Sequence, residues 1–173
     1  MSYLKSISLF QILKENKTIT IPNEGIYEGD VENGKRHGEG KMSYKNGNSY
    51  DGEWENDIFH GKGTYLNDTG SYMGQWTKGG LSKGTLIWCS GDKYVGECCC
   101  GVPHGNGSYF FKNGDEYNGE WYNYAKEGQG IFTWSNGDYY IGNWLDNEFH
   151  GKGLLFKDGI KKQGNWDRGK FIN

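Results

Sequence analysis

The chain has 173 residues but only two prolines, three methionines and few aliphatic side chains. A thick globular core is therefore not expected. No apolar run approaches the ~20 residues that a membrane-spanning helix needs. No basic stripe is present either. The 19 lysines and arginines are interspersed with 22 aspartates and glutamates, for a net charge of -3, which argues against nucleic acid as a partner. The N-terminus lacks a signal-peptide apolar core and a small-residue cleavage site, so the expected setting is intracellular and cytoplasmic. The glycosylation sequons at Asn16, Asn67 and Asn106 then carry no weight. Cysteine is confined to Cys89, Cys98, Cys99 and Cys100, and without a secretory signal a disulfide framework is not expected.

Glycine and aromatics are what the chain has instead. Thirty glycines exclude a helical bundle, and they show no Gly-X-Y period. Aromatics make up 16% of the residues, which gives the chain something large to bury and argues against disorder. Both residue types recur with a period of 22 to 23. Repeats start at Tyr27, Tyr50, Tyr72, Tyr94, Tyr117 and Tyr140, with a half repeat from Lys162. Two residues after each start comes a glycine, from Gly29 to Gly164. Four residues after come Val31, Trp54, Trp76, Cys98, Trp121, Trp144 and Trp166. A His-Gly pair follows at His37, His60, His104 and His150. Glu127-Gly128 replaces it once, and the third repeat is one residue short at Leu81–Gly84.

Alternation at period two predicts strands. Tyr50, Gly52 and Trp54 share one face of a first strand, and Gly61, Gly63 and Tyr65 share one face of a second. The other face is mostly polar, with Ile131 and Phe110 as exceptions. Asn46-Gly47, Asn113-Gly114 and Asn136-Gly137 predict type I′ hairpin turns, which need positive φ at both central residues. A longer loop is expected after each bulky site. The predicted fold is all-β: an elongated, twisted, single-layer antiparallel ribbon of tandem hairpins. Its rings lie across bare glycine backbone and stack from neighbour to neighbour.

Residues 1–26 read as a cap plus a half repeat, and residues 27–173 as the array. Within the cap, Leu4 to Leu13 fits either an amphipathic helix or a strand, Ile7 to Leu13, paired with Thr18–Ile21.

The phrase Tyr-x-Gly-x-Trp, a short loop, His-Gly-x-Gly, then an aromatic strand ending near a glycine turn resembles the MORN repeat (membrane occupation and recognition nexus), over about residues 27–169. The resemblance implies an aromatic groove and a protein that holds others in place. MORN proteins serve as cytoskeletal and axonemal scaffolds, as membrane–cytoskeleton linkers, and as regulatory modules of lipid kinases or methyltransferases. Val31, Cys98 and Tyr124 depart from the pattern.

Catalytic chemistry finds little support. Equivalent histidines in adjacent repeats fall about 9–10 Å apart, since two strands separate them, too far to share an ion with bonds of about 2.0–2.1 Å. Their expected role is to hydrogen-bond the loop. Cys89, Cys98 and Cys100 are the only metal-ligand candidates, with Cys98 and Cys100 on one side of a strand and Cys89 on the strand before. Gly79–Gly84 lacks the P-loop lysine, and the Gly-x-Gly pairs open strands rather than helices. No cofactor is expected, and the array leaves no room for a catalytic domain within these 173 residues.

The candidate partner groove comprises Tyr50, Trp54, Tyr72, Trp76, Tyr117, Trp121, Trp134, Tyr140, Trp144 and Trp166. A single-layer sheet leaves part of such a surface uncovered. The expected occupants are other proteins, with an apolar helix as one docking mode and self-association through an edge around Gln163–Trp166 as another. The reading is a non-enzymatic scaffold in a cytoskeletal or other assembly. The alternatives are a linker binding anionic phospholipid, which the net charge disfavours, and a regulatory subunit of a partner enzyme.

Overall fold

The computed structural model describes residues 15–173. The alternatives for Leu4 to Leu13 lie outside the described residues. The strands are β1 (Glu15–Ile21), β2 (Gly25–Glu32), β3 (Lys35–Tyr44), β4 (Ser49–Glu55), β5 (Ile58–Asn67), β6 (Gly70–Thr77), β7 (Gly80–Trp88), β8 (Lys93–Cys99), β9 (Val102–Phe110), β10 (Glu116–Tyr122), β11 (Ala125–Thr133), β12 (Tyr139–Leu145), β13 (Glu148–Lys157), β14 (Ile160–Asp167) and β15 (Lys170–Phe171). They form one antiparallel sheet in strict chain order, with no helix among the described residues. At about 4.8 Å per strand, the sheet extends roughly 70 Å along its stack.

A row of thirteen glycines, one per strand from β2 to β14, sets the register. It runs from Gly29 through Gly40, Gly52 and Gly63 to Gly153 and Gly164, each glycine opposite the next. The bare backbone is required by what lies over it. A β-carbon on Gly63 would fall 2.3 Å from the Tyr50 hydroxyl oxygen, and one on Gly107 would fall 2.2 Å from that of Tyr94.

The two margins of the sheet carry different turns, and the expected assignment is reversed. At the Asn-Gly loops only glycine takes positive φ: Gly47 at 88°, Gly114 at 91°, Gly137 at 89°. These are three-residue loops, closed by bonds such as Gly47 N–H to Tyr44 O at 3.0 Å and Tyr44 N–H to Asn48 O at 2.9 Å. The asparagine acts through its side chain: Asn113 and Asn136 Oδ1 accept the amides of Asp115 and Asp138, both at 3.0 Å. The two-residue type I′ turns lie at the other margin, after each bulky site, with one more at Asp158–Gly159 on the first margin. Both central residues there have positive φ, as at Asn56 (51°) and Asp57 (70°), or Asp146 (48°) and Asn147 (72°). The sequence hid them because the second place varies: glycine at Gly34, Gly79, Gly101 and Gly169, but Asp57, Tyr124 and Asn147 elsewhere.

Bonds between neighbouring turns run along both margins. The amides of Asp57, Gly79, Gly101, Asn147 and Gly169 donate to carbonyls of Arg36, Phe59, Leu81, Lys126 and Phe149. Opposite, the Asp92, Asp115 and Asp138 carboxylates accept the amides of Lys112, Ser135 and Asp158 in the following loop.

A β-bulge occupies each regular repeat. Gly61 and Lys62 are extra residues between the pairs Gly52–Gly63 and Glu53–His60. Gly61 takes φ 53°, and Glu53 Oε1 accepts the Lys62 amide at 2.7 Å. Glu97 and Glu120 do the same for Asn106 and Gln129, so these carboxylates are constrained rather than merely solvated. The third repeat has one extra residue, Ser82, in place of two. What it lacks is the left-handed glycine of the bulge.

Two expectations need correction. The polar face also carries Leu66, Met73, Ile87, Val95 and Ile141 as exposed apolar residues, beside Phe110 and Ile131. The edge around Gln163–Trp166 is half covered, because β15 pairs Phe171 with Trp166 and Lys170 with Asp167, while the Asn165 amide donates to Asn173 O at 2.7 Å.

Candidate functional site

The ring-bearing face is built in two layers. In the inner layer, Tyr27, Tyr50, Tyr94, Tyr117 and Tyr140 are fully buried. Each lies across the glycine row and donates its hydroxyl to the carbonyl three residues on, as Tyr50 to Glu53 O at 3.0 Å and Tyr94 to Glu97 O at 2.7 Å. Burial pushes the phenols up, to about 12 for Tyr27 and Tyr140 and further for Tyr50, Tyr94 and Tyr117.

Trp54, Trp121 and Trp144 each stand edge-on between the tyrosine of their own repeat and that of the repeat before, while Trp76 and Trp166 meet edge-on the tyrosine of the repeat before. Trp144 lies 5.1 Å from Tyr117 at 82° and 5.3 Å from Tyr140 at 88°. Its Nε1–H donates to Gly130 O at 3.1 Å. Trp54, Trp76, Trp121 and Trp166 repeat that bond to Gly40, Gly63, Gly107 and Gly153. Tyrosine and tryptophan thus alternate in a herringbone, the edge-to-face geometry that aromatic quadrupoles favour.

A position nine residues after each tyrosine completes this layer, and sequence reasoning passed over it. Phe59 lies flat on Tyr50 at 3.7 Å and 7°, and Phe149 on Tyr140 at 3.8 Å and 8°. Arg36, Leu81, Pro103 and Lys126 hold the same position elsewhere. The available signal was its fixed place just before each His-Gly pair, obscured by the mixture of residue types.

The outer layer consists of partly buried rings over the inner one: Tyr44, Tyr65, Tyr72, Trp88, Tyr109, Phe111, Phe132 and Trp134. From Trp88 it runs as a connected band. Trp88 stacks on Tyr109 at 5.4 Å, Tyr109 meets Phe111 at 4.5 Å, Phe111 meets Phe132 at 5.7 Å, and Phe132 meets Trp134 at 4.9 Å. The expected groove residues therefore divide. Tyr50, Trp54, Trp76, Tyr117, Trp121, Tyr140, Trp144 and Trp166 are buried in the inner layer, while Tyr72 and Trp134 keep exposed surface. The uncovered surface includes the Trp88–Trp134 band, with Tyr44, Tyr65 and Tyr72 outside it.

Segments 27–49, 50–71, 72–93, 100–116, 117–139 and 140–161 each match the MORN repeat. The chain belongs to the MORN repeat family. No curated protein sequence matches it. Among solved structures it is similar to the SAS-4 (dCPAP) TCP domain in complex with a proline-rich motif of Ana2 (dSTIL) of Drosophila melanogaster, with a TM-score of 0.48 and 14% identity over 96% of this chain and 97% of that one.

The MORN matches omit residues 94–99, and there the herringbone breaks. Cys98 stands in the tryptophan position. Tyr72 turns its hydroxyl to Thr69 Oγ1, 2.9 Å away, instead of lying across the glycine row. Fully buried Leu81 and Leu86 fill the space. Tyr124 is held at φ 67°, and its amide donates to Pro103 O at 3.3 Å.

The structure does not bring the MORN chain's candidate metal ligands together. Cys89 lies in a loop at one margin, with its Sγ on Asp68 O at 3.2 Å. Cys98 and Cys100 lie at the other margin, with the seven-residue strand β8 between. All four cysteines are unpaired. Cys98 is shielded, and burial pushes its thiol to about 12. The histidines meet side chains rather than turn backbone: His37 lies 3.5 Å from Glu32, His60 3.4 Å from Glu55 and His150 3.5 Å from Asp167, while the His104 ring lies 5.2 Å from that of Tyr122.

Proposed function

We propose that this MORN chain is a non-enzymatic scaffold that holds protein partners along its outer aromatic band. One observation carries the reading: connected, partly exposed rings from Trp88 to Trp134 lie on a sheet face that no other element covers among the described residues. Apolar surface of this kind, rimmed by polar turns, is a docking surface by default. An apolar helix is the occupant favoured here. Trp88 ends β7 and Trp134 follows directly on β11, about 19 Å apart at the usual strand spacing, which about 13 residues of helix would span. In this reading residues 1–26 cap the array and residues 27–173 present the surface. The setting is a cytoplasmic assembly of the cytoskeletal type, with self-association through the free half of β14.

The test is crosslinking capture from the native source, comparing the natural chain with Trp88→Ala, Trp134→Ala and, on the opposite face, Ile141→Ser. Both tryptophan variants should lose the captured protein while Ile141→Ser keeps it, with melting temperature confirming that each remains folded. Capture that survives both tryptophan changes would overturn the proposal. So would tight sedimentation of the purified chain with acidic liposomes alone, which is the outcome a phospholipid linker requires.

A further inference from the structure

Lys126 sits in the roof of the aromatic face, where Phe59 and Phe149 occupy the same place in their repeats. Its ammonium lies 5.4 Å from the Phe132 and Trp144 ring centroids, 5.7 Å from Tyr117 and 5.8 Å from Phe111. Burial lowers its pKa. Ring faces attract a cation, but they do not neutralise it.

Arg36 supplies the comparison. It holds the same position in the first repeat, over Trp54 at 4.5 Å. Asp57 Oδ1 accepts both its backbone amide at 2.9 Å and its Nε at 3.1 Å, and Glu24 lies 3.6 Å from its guanidinium. Lys126 keeps the first of these contacts with different chemistry: its amide donates to Asn147 Oδ1 at 2.9 Å. Asn147 is the turn residue equivalent to Asp57, and it is neutral. Glu24 stands three residues before Tyr27, and three before Tyr117 stands Gly114. Both counter-ions of the Arg36 site are therefore absent from the Lys126 site. Four nearby carboxylates are held by backbone amides instead. Glu120 accepts the Gln129 amide, Glu127 the Asp146 amide, Asp115 the Ser135 amide and Asp138 the Asp158 amide. Among the described residues Lys126 forms no ion pair.

We propose that Lys126 is a specificity-determining anchor for a carboxylate on the protein segment that occupies the band. The partner then supplies the counter-ion that Asp57 supplies internally to Arg36. The inference rests on the band as the partner face, and it narrows the partner to an apolar segment bearing an aspartate or glutamate. A cation already partly stripped of water gains more from such a pair than a solvated one does.

The probe is a displayed library of random peptides, selected against the full chain and then measured singly. Wild-type selections should carry an acidic residue at a fixed place among apolar ones. Replacing that Glu by Gln should weaken binding about tenfold, as for loss of a charge-assisted hydrogen bond. The difference should vanish on Lys126→Met. It should shrink on Asn147→Asp, which restores the internal counter-ion and preserves the turn. Melting temperatures establish that both variants fold. An equal Glu preference on Lys126→Met, or no acidic preference on wild type, overturns the anchor. If the selected peptides lack acidic dependence but lose binding on Trp134→Ala, the band stands without Lys126. If they bind Trp134→Ala unchanged, or nothing is selected, the band reading fails and the anchor with it.

Discussion

A β-carbon on Gly130 would lie 2.3 Å from the Tyr117 hydroxyl oxygen and 2.5 Å from the carbon that bears it. The ring is fully buried and cannot swing away. Gly130→Ala should therefore cost about 3 kcal/mol or more, as for overpacking a close-packed site. Gly137→Ala is the control. Its surroundings are open, but its φ is +89°, so the cost should be only about 1 kcal/mol of backbone strain. Urea unfolding of the two variants measures the difference.

The inner tyrosines make the fold sensitive to alkali. Their folded pKa values lie above the ordinary value of 10, chiefly through burial. The unfolded chain therefore loses phenolic protons first. Their contribution is fully present below pH 10 and is lost as pH rises through about 12. Tyrosine ionisation, followed by absorbance, should coincide with loss of the sheet signal in circular dichroism. Phenols that titrate near pH 10 while the sheet remains would contradict the packing.

The same repeat position should have different weights in different repeats. Trp121→Ala removes a buried ring and the bond from Nε1 to Gly107 O, and should cost about 3–5 kcal/mol. Cys98→Ala, in the gap, should cost about 1 kcal/mol, since it removes a small group that forms no herringbone contact. Chemical denaturation of the pair tests this.

Thiol labelling should separate the cysteines. Cys89, Cys99 and Cys100 are exposed. Cys98 is shielded and its thiol is pushed up to about 12, so little thiolate forms near neutrality. A thiol reagent at pH 8 should give three fast equivalents and one that appears only on unfolding.

Lys126→Phe should raise stability by about 1 kcal/mol, because a ring at this position stacks on the tyrosine as Phe59 and Phe149 do. The natural protein has a further signature. Burial holds Lys126 below its ordinary value, so the unfolded state binds the extra proton between the two values and stability rises with pH across that interval. The variant should lack this rise below the onset of tyrosine ionisation.

The period, the strand pair per repeat and the shared face of Tyr50, Gly52 and Trp54 were legible because alternation is local. The turn types were misassigned, because Asn-Gly serves two turn classes and only pairing distinguishes them. The partner surface was half legible. Sequence marks aromatic residues but not which ring covers which. Tyr50 and Trp54 vanish beneath the layer above, whereas Trp134 does not. Arg36, Phe59 and Lys126 were overlooked because they share a place and not a chemistry. The departures at Tyr72 and Cys98 were visible singly. That they fall in one gap emerges only when adjacent strands are joined.

The unlike residues nine places after each tyrosine have one more consequence. Every repeat offers its neighbours the same glycine row, so a strand displaced by one whole repeat would find its backbone partners and its glycines again. At this one position the copies differ: Arg36, Phe59, Leu81, Pro103, Lys126 and Phe149. A displaced strand would set Arg36 far from Asp57, or Lys126 in a pocket shaped for phenylalanine. These mismatches act as addresses that tell otherwise interchangeable repeats apart while the chain folds.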